Sequence, residues 1–140
     1  MKLKIVTPIG RIFEGDNVEK LTIPTESGVI TILEDHMPLI SIVSPGEVLI
    51  HDTEETITAL AISKGVLEVR ETGEIFVLAE TAEHADEIDI DRAEEAKKAA
   101  EEFLKTKHDI EDVDFAKMQA QLEKELARIE VGRKWKRLRR

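Results

Sequence analysis

The chain changes character at residues 91–104, which read Asp91-Arg92-Ala93-Glu94-Glu95-Ala96-Lys97-Lys98-Ala99-Ala100-Glu101-Glu102-Phe103-Leu104. Strong helix formers dominate this stretch. Its small and apolar side chains fall on one stripe of a helix: Ala93, Ala96, Ala100, Phe103 and Leu104. Asp91 followed by Glu94 has the spacing of a capping box, which predicts a helix with Asp91 as its cap.

A second helix is predicted after a polar break from Thr106 to Asp112, running from about Asp114 towards the C-terminus. Its apolar side chains recur at steps of three and four: Phe115, Met118, Leu122, Leu126 and Ile129. Gly132 either ends this helix or weakens it. The short connection predicts an antiparallel helical hairpin. Since isolated helices of this length are marginal in water, the hairpin must pack on a further surface.

The residues before this hairpin have the composition of short strands separated by turns. All four prolines and six of the seven glycines lie before residue 74. Between them, segments rich in Val, Ile and Thr predict strands over Lys2–Val6, Val18–Ile23, Gly28–Leu33, Glu47–Ile50, Thr56–Ile62, Val66–Arg70 and Glu74–Leu78. Several strands at this spacing indicate a sandwich or a barrel.

Composition excludes several classes of protein. The chain has 140 residues, a formal net charge of −10 and no cysteine. An acidic chain of this kind is not expected to bind nucleic acid. No apolar run of about 18 residues is present and the N-terminus does not resemble a signal peptide, so we expect no insertion into a membrane.

The charge is unevenly distributed. Residues 1–87 carry 17 acidic and 6 basic side chains, and residues 88–130 carry 13 acidic and 8 basic ones. The last ten residues have no acid and six bases, which we call the basic tip: Arg133, Lys134, Lys136, Arg137, Arg139 and Arg140. One reading is that these cations suit the end of a helix dipole and stay solvated. The other is that they meet an acidic partner.

Recognisable catalytic motifs are missing. The sequence contains no GxSxG, Walker A, GxGxxG or HExxH motif, and its four histidines are too far apart for a local metal cluster. We therefore expect no catalytic residue and no metal ligand, and interpret the chain as a binding or regulatory module.

Four stretches resemble the epsilon subunit of bacterial F-type ATP synthases. Residues 28–39 are similar to its "G-x-x-x-I-L-x-x-H-x-P-L" signature, and residues 44–48 to the turn that follows. Residues 61–69 are similar to its "S-G-G-F-L-E-V" hairpin, with Lys64 in place of a glycine. Residues 78–89 are similar to its "L-A-x-x-A-E-x-A-x-x-I-D" junction. The resemblance spans nearly the whole chain.

This resemblance implies an α+β fold: an N-terminal antiparallel β-sandwich over residues 1–87 and a C-terminal antiparallel two-helix hairpin over residues 88–140. It implies a non-catalytic subunit of the rotating stalk that joins the gamma subunit to the c-ring during proton- or sodium-driven ATP synthesis. The hairpin would fold on the sandwich or extend towards the alpha and beta subunits, where it inhibits ATP hydrolysis. The implied location is the cytoplasmic face of the cell membrane.

A nucleotide site is implied at the junction of the two parts. Residues 88–93 resemble the "I/L-D-x-x-R-A" motif of ATP-binding members. The resemblance implies ATP, with or without magnesium, as a regulatory ligand and no required cofactor. Its residues would be Glu83, Ile88, Asp89, Arg92, Ala93 and, as a nearby cation, Arg128. Relatives carry further arginines where this chain has Ala99, Leu122 and Leu126. The alternative is that Asp89 or Asp91 caps a helix and Arg92 is solvated.

A rotor contact is expected at one loop, formed by Glu34, Asp35, His36, Met37 and Pro38. A polar tip on an apolar frame suits a binding loop, although an ordinary turn fixed by proline would look the same. Two other functions stay open at this point. The chain could be a structural coupling subunit with a passive hairpin, or a free-standing sandwich that binds a carbohydrate or peptide.

Overall fold

The computed structural model describes residues 1–106 and 112–138. Within them, ten strands come first: β1 (Leu3–Thr7), β2 (Gly10–Gly15), β3 (Val18–Thr25), β4 (Gly28–Leu33), β5 (Leu39–Val43), β6 (Gly46–Asp52), β7 (Ile57–Ile62), β8 (Gly65–Val69), β9 (Ile75–Ala79) and β10 (Ala82–His84). A 3₁₀ turn (Ala85–Glu87) then leads to two helices, α1 (Ile90–Thr106) and α2 (Asp112–Leu138). The predicted α+β fold is confirmed.

The strands form two layers that meet at β3. One layer runs β10-β7-β6-β3 with β4 beside β3, and the other runs β5-β8-β9-β1-β2. Thr25 at the end of β3 pairs with Val43 of β5, which joins the layers. Side chains alternate along each strand, so both layers bury one face in a shared core. Ile23, Ile50, Leu67 and Val77, two from each layer, are at most 1% exposed.

Pairing within the sandwich is antiparallel except between β1 and β9, which run parallel. Strands β2, β5 and β10 were not predicted from sequence. Two of them, β2 and β10, lie at the ends of the strand order, where a strand needs only one partner. Strand β5 has exposed apolar residues, so it lacks the polar alternation expected of a half-buried strand.

The helices form the predicted antiparallel hairpin, with α2 between α1 and the sandwich. Helix α1 packs on α2, and α2 packs on β6, β7 and the 3₁₀ turn. Ala93 and Ala100, buried on α1, permit the close approach of the two helices. Helix α2 continues through Gly132 to Leu138, so the glycine does not end it. In the described residues, neither helix is long and apolar enough to cross a membrane.

The predicted cap of α1 was wrong. The carboxylate of Asp89 accepts a hydrogen bond from the backbone N–H of Arg92 at 3.1 Å, and the carbonyl of Asp89 begins the helical ladder by accepting from the N–H of Ala93. Asp89 is therefore the N-cap, and Asp91 is already in the first turn. An N-cap side chain accepts from the backbone N–H of the second or third helical residue, and Arg92 is the third residue of α1.

Candidate functional site

Helix α2 covers the outer face of one layer of the sandwich. The covered face is built from small residues, Ala59 and Ala61 of β7, which are 7% and 4% exposed. Val131 and Trp135 of α2 pack in the same cluster, with Leu49 of β6 beside them. Alanines on the sheet let the helix approach closely, so the hairpin lies folded back on the sandwich.

A charged network holds the middle of α2. Arg128 donates from Nε to Glu83 Oε2 at 2.8 Å, and from Nη1 to Glu125 Oε2 at 2.8 Å. Gln121 Nε2 donates to the other oxygen of Glu125 at 2.8 Å. Glu125 is 1% exposed, so its carboxylate depends on these partners for its solvation.

The electrostatics of this network favour a permanently charged guanidinium. Partial burial acts to lower the pKa of Arg128, but hydrogen bonds and charges from Glu83, and then from Glu125, raise the pKa above its ordinary value. The guanidinium of Arg128 thus bonds carboxylates on two elements, Glu83 on β10 and Glu125 on its own helix. An incoming phosphate group would have to displace Glu83 to use that guanidinium.

A second attachment lies nearly two turns further along α2. Both oxygens of Glu47, on β6, accept hydrogen bonds from the helix. Lys134 Nζ donates to Oε1 at 2.7 Å, and Trp135 Nε1 donates to Oε2 at 2.7 Å. Lys134 Nζ also lies 5.8 Å from the centroid of the Trp135 ring.

The structure separates the predicted nucleotide residues into groups. Glu83 and Arg128 line one surface cavity, with His84 and Lys124 beside them. Ile88 and Asp89 line another, together with residues of α2. The structure brings Glu83 to Arg128, and the Asp89 carboxylate to the backbone of Arg92. It does not bring these two pairs into one of these cavities.

Two further nucleotide candidates differ in accessibility. The side chain of Arg92 is exposed in the first turn of α1. Ala93 is fully buried, so its side chain faces no open space for a flat ring in this conformation.

The basic tip is only partly free. Arg133 forms a salt bridge with Glu94 of α1, and Lys134 is held by Glu47. Lys136 and Arg137 are exposed. Arg139 and Arg140 lie outside the described residues.

The opposite outer face of the sandwich carries an uncovered apolar patch. Ile42 of β5, Val66 of β8 and Leu78 of β9 are cross-strand neighbours in one row. They are 44%, 44% and 60% exposed, and Ile40 in the adjacent row is 74% exposed. We call these four residues the apolar patch. A contiguous exposed apolar surface of this kind is a candidate interaction surface.

The predicted rotor loop connects β4 to β5 and so leads directly into the apolar patch. Four of its five residues are exposed, and Met37 is 73% exposed. Asp35 has a φ of 63°, a left-handed conformation that aspartate tolerates in tight turns. His36 Nδ1 lies 2.7 Å from the carbonyl oxygen of Met37, so the loop has a local hydrogen bond.

Comparison with known families matches both parts of the chain. Residues 1–85 match the model described as "ATP synthase, Delta/Epsilon chain, beta-sandwich domain", and residues 86–132 match "ATP synthase, Delta/Epsilon chain, long alpha-helix domain". The chain belongs to the ATP synthase delta/epsilon family. The resemblance first seen in four short motifs is therefore confirmed over both domains.

Similar curated relatives are bacterial proteins named "ATP synthase epsilon chain". The relative from Ruminococcus albus is 37% identical over 133 residues, covering 95% of this chain and 96% of the relative. The relative from Halalkalibacterium halodurans is 34% identical, with coverage of 94% and 96%. The relative from Staphylococcus aureus strain JH9 is 35% identical, again with coverage of 94% and 96%.

Solved structures show the same fold at lower identity. A chain in the cryo-EM structure of the Euglena gracilis mitochondrial ATP synthase, with OSCP, F1 and c-ring, has a TM-score of 0.73 and 21% identity. The match covers 86% of this chain and 74% of that one. A chain in the Tetrahymena thermophila central stalk and c-ring structure has a TM-score of 0.62 and 14% identity, covering 96% and 94%.

Sequence reasoning missed the residues that attach the hairpin. Glu47 and Glu125 are two of 30 acidic side chains, and no local pattern distinguishes them from solvated ones. Trp135, the only tryptophan of the chain, was a possible signal, because a large aromatic side chain so near a charged terminus needs a surface to pack on.

Proposed function

We propose that this chain is a non-catalytic subunit of the central stalk of a bacterial F-type ATP synthase, where it joins the gamma subunit to the c-ring. The observation that carries the proposal is that, in a chain of this family, the two outer faces of the sandwich differ. One outer face is covered by the chain's own hairpin and the other presents the apolar patch. As part of such a complex, the chain would lie peripherally at the cytoplasmic face of the cell membrane.

The gamma subunit is the partner assigned to the apolar patch. Four large aliphatic side chains on adjacent strands are exposed to water in the isolated chain. Binding of a partner that buries them is favoured by the removal of this apolar surface from water. The patch stands on three hydrogen-bonded strands, so it is a preformed surface. The rotor loop at its edge, with Met37 exposed, is assigned to the c-ring.

Gamma binding can be tested by placing charges in the patch. Val66→Glu with Leu78→Glu should weaken binding to the gamma subunit about tenfold or more, since each carboxylate would be buried without a partner. Ile57→Glu is the matched control, because Ile57 is 46% exposed on the other layer. Pull-down with tagged gamma measures both. Equal retention of the double variant and the control contradicts the proposed gamma contact.

The hairpin is proposed to inhibit ATP hydrolysis by extending towards the alpha and beta subunits. This proposal rests on two cations of the basic tip, Lys136 and Arg137, to which the folded-back contacts described above assign no role. Lys136 and Arg137 are exposed, so they are available for an acidic surface. The alternative function, a stalk subunit with a passive hairpin, requires no such contact.

Neutralising the free part of the tip separates these alternatives. Lys136→Gln with Arg137→Gln removes two charges and leaves the attachments of Lys134 and Arg133 intact. The reassembled complex should hydrolyse ATP faster than with the wild-type chain. Lys97→Gln with Lys98→Gln on α1 is the control for total charge. Unchanged hydrolysis in the tip variant favours the passive hairpin.

ATP is proposed as a regulatory ligand at the start of α1, where Arg92 has an exposed guanidinium and Asp89 caps the helix. Calorimetry with the isolated chain, with and without magnesium, tests this. Asp89→Ala with Arg92→Ala should abolish the binding heat, whereas Glu95→Ala with Lys98→Ala, both exposed on α1, should not. No binding to the wild type at about 1 mM ATP, a weak limit of affinity, removes ATP from the proposed function.

A further inference from the structure

The carboxylate of Glu47 links two side chains of α2 to the sandwich. Its two oxygens accept separate hydrogen bonds, from Lys134 Nζ and Trp135 Nε1, both at 2.7 Å. The Glu47 side chain is 21% exposed, so the contact is partly shielded from water and salt. Hydrogen bonds to a charged group are stronger than neutral ones.

The position of Glu47 makes this contact long-range. Glu47 follows the turn between β5 and β6, and it is 87 residues from Lys134 and 88 from Trp135. Such a contact exists only when the end of α2 lies on the sandwich. The ring of Trp135 packs on the alanine-lined face that α2 covers, so docking of the ring and its hydrogen bond occur together.

Other contacts of α2 depend less on the position of its end. The salt bridge from Arg133 to Glu94 joins the two helices and would survive if the hairpin moved as a unit. Arg128 binds Glu125 of its own helix as well as Glu83. Near the C-terminal end of α2, Glu47 therefore supplies the polar attachment that any lifting of this end must break.

We propose that Glu47, with Lys134 and Trp135, is a latch that holds the hairpin in the folded-back state without a nucleotide. The latch opens when another cation binds Glu47, or when an acidic surface competes with Glu47 for Lys134. The latch rests on the proposed function, in which the hairpin moves, and it is the contact that controls this movement. Lys134, a cation of the predicted inhibitory tip, is thus engaged with the sandwich in the folded-back state, so release of the latch makes it available.

Trp135 is a built-in reporter of the latch, because the chain has one tryptophan and no tyrosine. In the wild-type chain its emission should be blue-shifted and weakly quenched by acrylamide. Glu47→Ala should shift emission to the red and increase quenching. Amide exchange over residues 128–138 should accelerate about tenfold, the factor that corresponds to about 1.4 kcal/mol.

Matched variants isolate the charge and guard against misfolding. Lys134→Met, which keeps the sandwich intact, should change Trp135 emission in the same direction as Glu47→Ala. Lys136→Met removes the same charge on the other side of Trp135, and Glu54→Gln removes an exposed acid from the sandwich; neither should have this effect. Slow amide exchange of the β3 core shows that each variant remains folded.

The outcomes decide the proposal without reference to enzyme activity. Red-shifted emission and faster exchange in Glu47→Ala and Lys134→Met, with both controls like the wild type, support the latch. Emission and exchange equal to the wild type in both latch variants overturn it. Because these measurements use the isolated full chain, they can fail while the gamma-binding and hydrolysis tests succeed, and the reverse also holds.

Discussion

Gly132 of α2 lies so close to Ile90 of α1 that a Cβ on the glycine would be 3.0 Å from Ile90 Cγ1. The same Cβ would be 3.1 Å from Ile88 Cγ2. Glycine is an unfavourable residue in a helix, but its lack of a side chain permits the close approach of α2 to the start of α1.

Replacing Gly132 with leucine should undock the hairpin while making α2 a better helix. Helix propensity gains up to about 1 kcal/mol, but overpacking against Ile88 and Ile90 costs about 1–3 kcal/mol. Far-UV circular dichroism should show undiminished helix, and hydrogen exchange should show faster exchange over residues 128–138. Glu130→Leu, at an exposed site on the same helix, is the control. Unchanged protection in Gly132→Leu contradicts the close packing.

The buried carboxylate of Glu125 makes Arg128 a sensitive position. Arg128→Met removes a partner from a carboxylate that is 1% exposed, which should cost about 3–5 kcal/mol. Adding Glu125→Leu should restore most of this loss, because an apolar pair of similar volume often replaces a buried ion pair without penalty. Urea titrations followed by Trp135 fluorescence measure the stability of the docked hairpin.

The surface ion pair between Arg133 of α2 and Glu94 of α1 provides the contrast. Arg133→Met breaks a pair whose side chains are 60% and 36% exposed, so the expected loss is at most about 1 kcal/mol. Equal effects of Arg128→Met and Arg133→Met, or no recovery in the double variant, would show that Glu125 does not need Arg128.

The sequence predicted those parts of the molecule that depend on local chemistry. Residues 91–104 contain the periodicity and composition of α1, and the glycines and prolines separate the strands. The capping-box pattern of Asp91 and Glu94 favoured Asp91 as the cap of α1, and Asp89, named as an alternative, has no acidic residue three positions later. In the structure the carboxylate of Asp89 accepts from the N–H of Arg92, and the first helical residue is Ile90.

The contacts that attach the hairpin could not be predicted, because they join residues far apart in the chain. Arg128 meets Glu83 across 45 residues, and Trp135 meets Glu47 across 88. An acidic side chain in sequence looks the same whether it is solvated or binds a distant cation. The nucleotide and rotor residues stay predictions, since their roles depend on ligands and partners.

Gly65 should tolerate no side chain. A Cβ there would lie 2.1 Å from the carbonyl oxygen of Leu78 and 2.8 Å from the Cα of Ala79, both backbone atoms. Gly65→Ala must separate β8 from β9 and should lower the free energy of unfolding by about 1–3 kcal/mol. It should also weaken gamma binding, since Val66 and Leu78 would shift. Lys64→Ala, exposed beside it, is the control for thermal unfolding and pull-down. Normal stability of Gly65→Ala would contradict the close approach of the two strands.

The latch and the free tip should affect ATP hydrolysis in opposite directions. Glu47→Ala destabilises only the folded-back state, so it should increase the inhibitory, extended population and slow hydrolysis by the reassembled complex. A tenfold decrease in the equilibrium constant for the folded-back state changes a folded-back fraction of about nine-tenths to about one half. Lys136→Gln with Arg137→Gln weakens only the extended state, so it should speed hydrolysis. Combining the variants should give an intermediate rate, because the two changes act on opposite sides of one equilibrium. Faster hydrolysis in Glu47→Ala would mean that Glu47 acts in the extended state, which is incompatible with a latch.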